Sequence, residues 1–153
     1  MKKENYLLAL LLLSPLAFAD YEEMISLEDY IAENSMEDLS ALFYVTTRCS
    51  GLFSVAASLY APESENHQRF LATAEKFYTV SINVREAIDP DTESKEHEDK
   101  TFKTVSAIGS RYTNSANKHY VDKGTYFTEP MFDDTKLCGQ LNKVELERPY
   151  IAK

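Results

Sequence analysis

The chain has 153 residues, with 25 acidic residues against 16 basic ones and a formal net charge of −9 at pH 7. So acidic a protein is a poor binder of nucleic acid or anionic lipid, because repulsion replaces the counterion release that drives phosphate binding. The length fits one domain with a sizeable core, and the charge is compatible with simple solubility or with a cationic partner.

Residues 1–19 have the features of a secretory signal peptide. Two lysines precede an apolar run from Tyr6 to Phe18, and Ala17-Phe18-Ala19 forms a small-x-small cleavage site. The run is shorter than the roughly 20 residues that cross a bilayer, and Pro15 interrupts it, which argues against an uncleaved membrane anchor. We therefore expect a periplasmic or secreted protein that is soluble after cleavage, with no stable membrane insertion.

Helical periodicity dominates the rest of the chain. Apolar residues recur at steps of three and four, which marks one face of an α-helix. The pattern predicts a brief first helix and then four longer ones, over residues 26–34, 36–60, 64–88, from a charged lead-in at 93 to about 123, and from about 133 to 144.

Short polar residues and glycine mark the expected helix ends. Ser35 and Ser64 are the predicted N-caps of the first two long helices, because a serine side chain accepts a bond from a free N–H of the first turn. Gly124 is the predicted end of the third, since glycine adopts the left-handed conformation that closes many helices.

The predicted fold class is all-α. No segment alternates apolar and polar residues as a strand does, and no repeat or long linker divides the chain. We expect a four-helix bundle in up-down-up-down order with a short extra N-terminal helix. The expected organisation is a cleaved signal peptide (1–19), one helical domain (20–147) and a flexible tail (148–153).

The two cysteines predict one intramolecular disulfide. In an exported protein a single pair of cysteines is oxidised by default, and Cys49 and Cys138 can meet if the first and fourth helices are neighbours. Gly51 would then let another helix approach closely. The alternatives are an intermolecular bridge, or a nucleophilic Cys49 helped by Arg48, although a thiol in mid-helix gains nothing from a helix N-terminus.

Aromatic residues are abundant, with ten Tyr and eight Phe. Most are expected in the core, on the inner faces of the helices, namely Phe43, Phe53, Phe70, Phe77, Phe102 and Tyr112. Four lie off those faces and form a candidate interface for a protein partner, because exposed amphipathic aromatics favour protein contacts. They are Tyr44, Tyr78, Tyr126 and Phe127, and the segment 125–132 in particular could be covered by a partner.

The sequence has few signs of catalysis or metal binding. His67, His97 and His119 have no partner at the i, i+4 spacing of a helical metal site. We expect the first two to be exposed and His119 to be packed or hydrogen-bonded. The acidic stretch 89–93 begins like a calcium loop but lacks the required glycine and final glutamate, so we predict no metal and no cofactor.

The expected function is that of an exported helical binding or interaction protein of the cell envelope, without evident catalysis and with an unidentified protein partner. The alternative is an enzyme or cofactor-carrying bundle whose site is assembled from residues distant in sequence. Its candidate participants are His119, Tyr112 and an acid such as Glu75.

Overall fold

The computed structural model describes residues 24–143, which form helices and no strand. The predicted signal peptide (1–19) and the predicted tail (148–153) lie outside the described residues. No helix within 24–143 is both long and apolar enough to cross a membrane. Five helices follow one another in this part of the chain, α1 (Leu27–Glu33), α2 (Leu39–Ser58), α3 (Glu65–Ile88), α4 (Ser94–Lys123) and α5 (Glu129–Lys143).

Two of the three predicted helix ends are confirmed. The Ser64 hydroxyl accepts a hydrogen bond from the backbone N–H of His67 at the start of α3. Gly124 follows α4 with φ of 75°, the left-handed conformation that costs glycine little. The third is wrong by three residues: α2 begins after Asp38, because its carboxylate accepts the N–H of Ser40, whereas Ser35 lies in the turn before it.

The last helix begins earlier than predicted. α5 starts at Glu129 rather than near Asp133, and the hydroxyl of Thr128 accepts a bond from the N–H of Met131. Pro130 occupies the first turn, where the N–H that proline lacks would have no helical partner. The loop between α4 and α5 is therefore short, running from 124 to 128.

The central element is α2, which packs against α3, α4 and α5. Its contacts with α3 include two hydrogen bonds, from Ser81 to the Thr46 hydroxyl at 2.9 Å and from Ser50 to the Ala74 carbonyl at 3.0 Å. Because Thr46 pairs with Ser81 and Ser50 pairs with Ala74, α2 and α3 are antiparallel.

Aromatic rings fill the interface between α2 and α3. Phe53 of α2 is buried against Phe77 and Phe70 of α3, in stacked arrangements that stabilise the fold beyond the area they bury.

The predicted close approach at Gly51 is confirmed. A Cβ placed on Gly51 would lie 2.9 Å from Cγ2 of Ile108 and 3.1 Å from the backbone N of Gly109, both on α4. Only a residue without a side chain allows the two helices to come this close.

The predicted disulfide is also confirmed. Cys49 of α2 and Cys138 of α5 are bonded, with their Cα atoms 5.6 Å apart, although they are separated by 89 positions in the sequence. Both residues are fully buried in the core. The bond fixes α5 to the central helix.

Two expectations for α4 are wrong. Phe102 was expected in the core but is 63% exposed, and His97 was expected at the surface but is buried, with its Nε2 atom 2.9 Å from the carbonyl oxygen of Asp89. The reason is that the first turns of α4 turn a polar face, not the apolar one, toward the core. The buried face of α4 begins with the polar residues His97 and Thr101 and reaches apolar positions only from Ile108 onward.

Candidate functional site

A buried ion pair lies where α2 and α5 meet. The guanidinium Nη2 of Arg48 donates to Oδ2 of Asp134 at 2.5 Å, and each side chain is 1% exposed. Charges removed from water at this depth are tolerated only when they are paired and their remaining polar atoms are satisfied.

Tyr112 of α4 completes what we call the buried network, consisting of Arg48, Tyr112 and Asp134. Its hydroxyl donates to Oδ2 of Asp134 at 2.5 Å and accepts from Nε of Arg48 at 3.0 Å. Burial, followed by the negative charge of Asp134, raises the pKa of Tyr112 well above its usual value of 10, and the opposing guanidinium does not reverse this. Tyr112 therefore stays protonated as a donor to the carboxylate.

The charge of Arg48 is held by the same partners. Burial alone would lower its pKa, but the Tyr112 oxygen and the Asp134 carboxylate favour the charged form more strongly, so the pKa lies above its usual value. The remaining donor, Nη1, bonds the carbonyl oxygen of Ile25 and the hydroxyl of Tyr44. Arg48 is thus a fixed cation.

The network also anchors the short helix α1. The backbone N–H of Leu27, which has no helical partner at the start of α1, donates to Oδ1 of Asp134 at 2.9 Å. Tyr30 of α1 packs on Tyr44 with ring centroids 4.2 Å apart. A helix of seven residues is too short to be stable alone, and these contacts hold it on the bundle.

A cavity of about 260 Å³ opens above the network, and we call it the junction cavity. The three network side chains line it together with residues from α4, from the α4–α5 loop, from the first turn of α5 and from the segment before α1. These further residues are Met24, Ser115, His119, Thr128, Glu129, Pro130 and Met131. Polar and ionisable groups converging on one concavity make this the strongest candidate for a binding site within residues 24–143.

An exposed set of apolar residues lies around the same junction of α4 and α5. We define the aromatic surface as Tyr120, Val121, Tyr126 and Phe132. The rings of Tyr120 and Tyr126 are stacked, with centroids 4.2 Å apart, and Phe132 contacts the partly buried Phe127. Val121 is 83% exposed and Phe132 is 63% exposed. Two residues of the cavity lining, His119 and Met131, directly precede Tyr120 and Phe132 in the sequence.

The four residues of the candidate interface fall in three different places. Tyr126 lies in the aromatic surface, and Phe127 beneath it is packed against the core. Tyr44 is half-buried in the contacts of the network. Tyr78 is half-buried on α3, and its hydroxyl donates to the carbonyl oxygen of Glu98 at 3.2 Å.

The three residues considered for a catalytic or cofactor site are divided by the structure. Tyr112 and His119, seven positions apart on α4, both line the junction cavity, whereas Glu75 is an exposed residue of α3 outside its lining. The carboxylates that share the cavity with His119 are Glu129 and Asp134. No group of three His, Cys, Asp or Glu side chains within 24–143 is arranged to hold a metal ion.

Sequence reasoning missed the importance of Arg48 and Asp134. A signal for Arg48 was present, since a single arginine interrupts the long apolar stretch of α2, where a charged side chain is buried only with a partner. Asp134 had no comparable signal, because an acid near a helix start is usually a solvated residue. Comparison of the chain with protein-family models, with curated proteins and with solved structures gives no match in any of the three.

Proposed function

We propose that the protein is an exported interaction protein of the cell envelope and that it acts by binding a protein partner through the aromatic surface. Nucleic acid is not the expected partner, because the net charge is −9. The observation that carries the proposal is the exposure of four large aromatic or apolar residues in the segment 120–132, around the junction of α4 and α5.

The arrangement of these residues supports a role in recognition. The stacked pair of Tyr120 and Tyr126 and the contact of Phe132 with Phe127 restrict the rings before any partner arrives. Pre-ordered aromatic groups lose little conformational entropy on binding, and Tyr and Phe are enriched in interfaces. Exposed aromatic and apolar side chains concentrated at one junction of two helices are typical of an interaction site.

Affinity capture from the envelope fraction at near-native salt tests the proposal with matched variants. We expect the wild-type protein to capture a defined partner and Tyr126→Ser/Phe132→Ser to lose it. Leu71→Ser, which changes an exposed apolar residue of α3, serves as the control and should retain capture. Capture of the same protein by all three versions would argue against the aromatic surface.

Export is proposed on two grounds. Residues 1–19 have the composition of a signal peptide, and a disulfide between Cys49 and Cys138 is compatible with an oxidising compartment. Mass spectrometry of the protein from its natural host tests this. We expect a mature N-terminus at Asp20 and a fraction located outside the cytoplasm, whereas an intact N-terminus on cytoplasmic protein would contradict export.

A second candidate function is supported by the junction cavity. His119 and Tyr112 line one cavity with Glu129, which is compatible with an enzyme or a cofactor-carrying bundle. Visible absorbance and elemental analysis of the purified protein distinguish this candidate. A chromophore or a stoichiometric metal that is lost in His119→Ala would favour it over the interaction protein.

We also propose the up-down-up-down order for α2 to α5. The antiparallel packing of α2 on α3 and the short connections 59–64 and 89–93 support it for α2 to α4, whereas α5 packs on α2 and α1 more than on α4. Spin labels at Ser40 and Lys95 provide a test, because that order places the starts of α2 and α4 at one end. A separation above about 30 Å, the length of a 20-residue helix, would contradict the order.

A further inference from the structure

We propose that a groove beside the aromatic surface receives a lysine or arginine side chain of the partner protein. The groove consists of the junction cavity and a more open pocket of about 440 Å³, which share Met24, Glu129 and Pro130. The inference rests on the proposed function, since it specifies the chemistry of the partner that would cover the aromatic surface.

Two carboxylates line the open pocket, and no basic residue within 24–143 is part of its lining. Glu129 and Asp133 are four positions apart on α5, which places them on one face of the helix, and both are exposed. Neither forms an ion pair with any residue that the structure describes. The start of α5 offsets only part of their charge, because a helix dipole is equivalent to roughly half a positive charge. The pocket therefore favours a cation.

The walls of the pocket favour a side chain over a bare ion. Met24, Ile25 and Pro130 contribute apolar surface, and Ile25 is 53% exposed. The methylene stem of lysine or arginine packs on such surface while its charged end lies beside the carboxylates. A hydrated metal ion or ammonium would leave these walls uncovered.

The floor of the groove does not repel a cation. The positive charge of Arg48 is balanced by Asp134 at 2.5 Å, so this pair contributes little net charge to the cavity. At longer range the acidic chain attracts a basic partner, most strongly at low ionic strength. The charge of the pocket and the apolar shape of its walls therefore both favour a lysine or arginine side chain.

Amide chemical shifts of the ¹⁵N-labelled protein test the groove without knowledge of the partner. The probe is Nα-acetyl-arginine amide, and its matched control is Nα-acetyl-citrulline amide, which has nearly the same shape but no charge. We expect the arginine probe to shift Ile25, Met131 and Asp133 and to bind about tenfold more tightly than the citrulline probe. The preference should weaken at high salt.

Variants assign the effect to the two carboxylates. Glu129→Gln/Asp133→Asn should lower affinity for the arginine probe about tenfold. Glu37→Gln/Glu63→Gln, which removes the same charge from exposed residues elsewhere, should not. Equal binding of the two probes, or unchanged binding in the first variant, would overturn the inference.

The two proposals fail in different ways. If the arginine preference is absent while partner capture still depends on Tyr126 and Phe132, the inference is wrong and the proposed function stands. If the preference is present while capture is independent of those residues, the proposed function is wrong, and the groove binds basic groups in another context.

Discussion

Arg48 and Asp134 are 86 positions apart in the chain, yet their side chains meet at 2.5 Å with almost no exposure to solvent. Tyr112 bridges them, and the start of α1 is bonded to the same carboxylate. One small polar cluster therefore connects four of the five helices in the described part of the chain. It also forms the floor of the junction cavity.

Removal of Asp134 should be strongly destabilising. Asp134→Ala leaves the charge of Arg48 buried without its counter-ion, and we expect a loss of about 3–5 kcal/mol in the free energy of unfolding. Urea denaturation followed by circular dichroism measures it. Asp133→Asn, a change at the exposed neighbouring position, should stay within about 0.5 kcal/mol of the wild type.

The double variant Arg48→Met/Asp134→Leu distinguishes a buried charge penalty from a general loss of packing. It removes both charges and keeps most of the buried side-chain volume, so we expect the double variant to be more stable than Asp134→Ala. If the double variant loses as much free energy of unfolding as Arg48→Met and Asp134→Leu lose together, the two residues are not coupled. The ion pair described above would then be wrong.

Tyr112 should make stability depend on pH in the alkaline range. Its pKa is raised in the folded protein, so above pH 10 the unfolded chain loses this proton while the folded protein keeps it. The unfolded state then binds fewer protons, and stability falls as pH rises, by about 1 kcal/mol at pH 11 from this residue alone. Below about pH 9 the contribution is constant, because the tyrosine is then protonated in both states.

Tyr112→Phe is the matching variant. At pH 7 it should cost about 1–3 kcal/mol, since Asp134 and Arg48 each lose a buried partner. Between pH 10 and 11 its stability should fall less steeply than that of the wild type. Parallel pH profiles for the two proteins would show that Tyr112 ionises normally in the folded state.

The disulfide should be a major source of stability. By the chain-entropy estimate, a bond that closes a loop of 89 positions contributes about 4–5 kcal/mol. Cys49→Ala/Cys138→Ala should lower the free energy of unfolding by up to this amount, and reduction of the wild type should have a similar effect. A loss below about 1 kcal/mol for either would contradict a role in stability.

Gly51 and Gly139 form a matched pair inside helices. Gly51→Ala should destabilise by about 1–3 kcal/mol, because its Cβ would lie 2.9 Å from Ile108. Gly139→Ala meets no atom within 4 Å and should stabilise by about 0.5–1 kcal/mol through helix propensity. The midpoints of thermal unfolding should therefore move in opposite directions, and equal shifts would exclude the close contact of α2 with α4.

Local patterns were sufficient to predict the disulfide and the helical segments, apart from the starts of α2 and α5. Apolar spacing at steps of three and four follows from the helical repeat, and the Ser64 cap and the Gly124 end depend on a few neighbouring residues. The pairing of Cys49 with Cys138 followed from there being one possible intramolecular partner for each cysteine, together with an expected neighbourhood of the first and fourth helices.

The candidate site could not be predicted in the same way. The meeting of Arg48 with Asp134 depends on how α5 lies against α2, which no local pattern encodes. The start of α4 misled prediction for a related reason: His97 and Thr101 are polar but face the core, whereas Phe102 is apolar but exposed. Hydrophobicity alone assigns the wrong face there.

Site-specific photo-crosslinking in living cells tests the proposed interaction surface most directly. A photoreactive phenylalanine analogue at Val121, the most exposed residue of the aromatic surface, should give one discrete adduct with a protein partner. The same analogue at Leu71 on α3 should give none. No adduct from position 121, or equal adducts from both positions, would contradict a partner-binding role for the junction of α4 and α5.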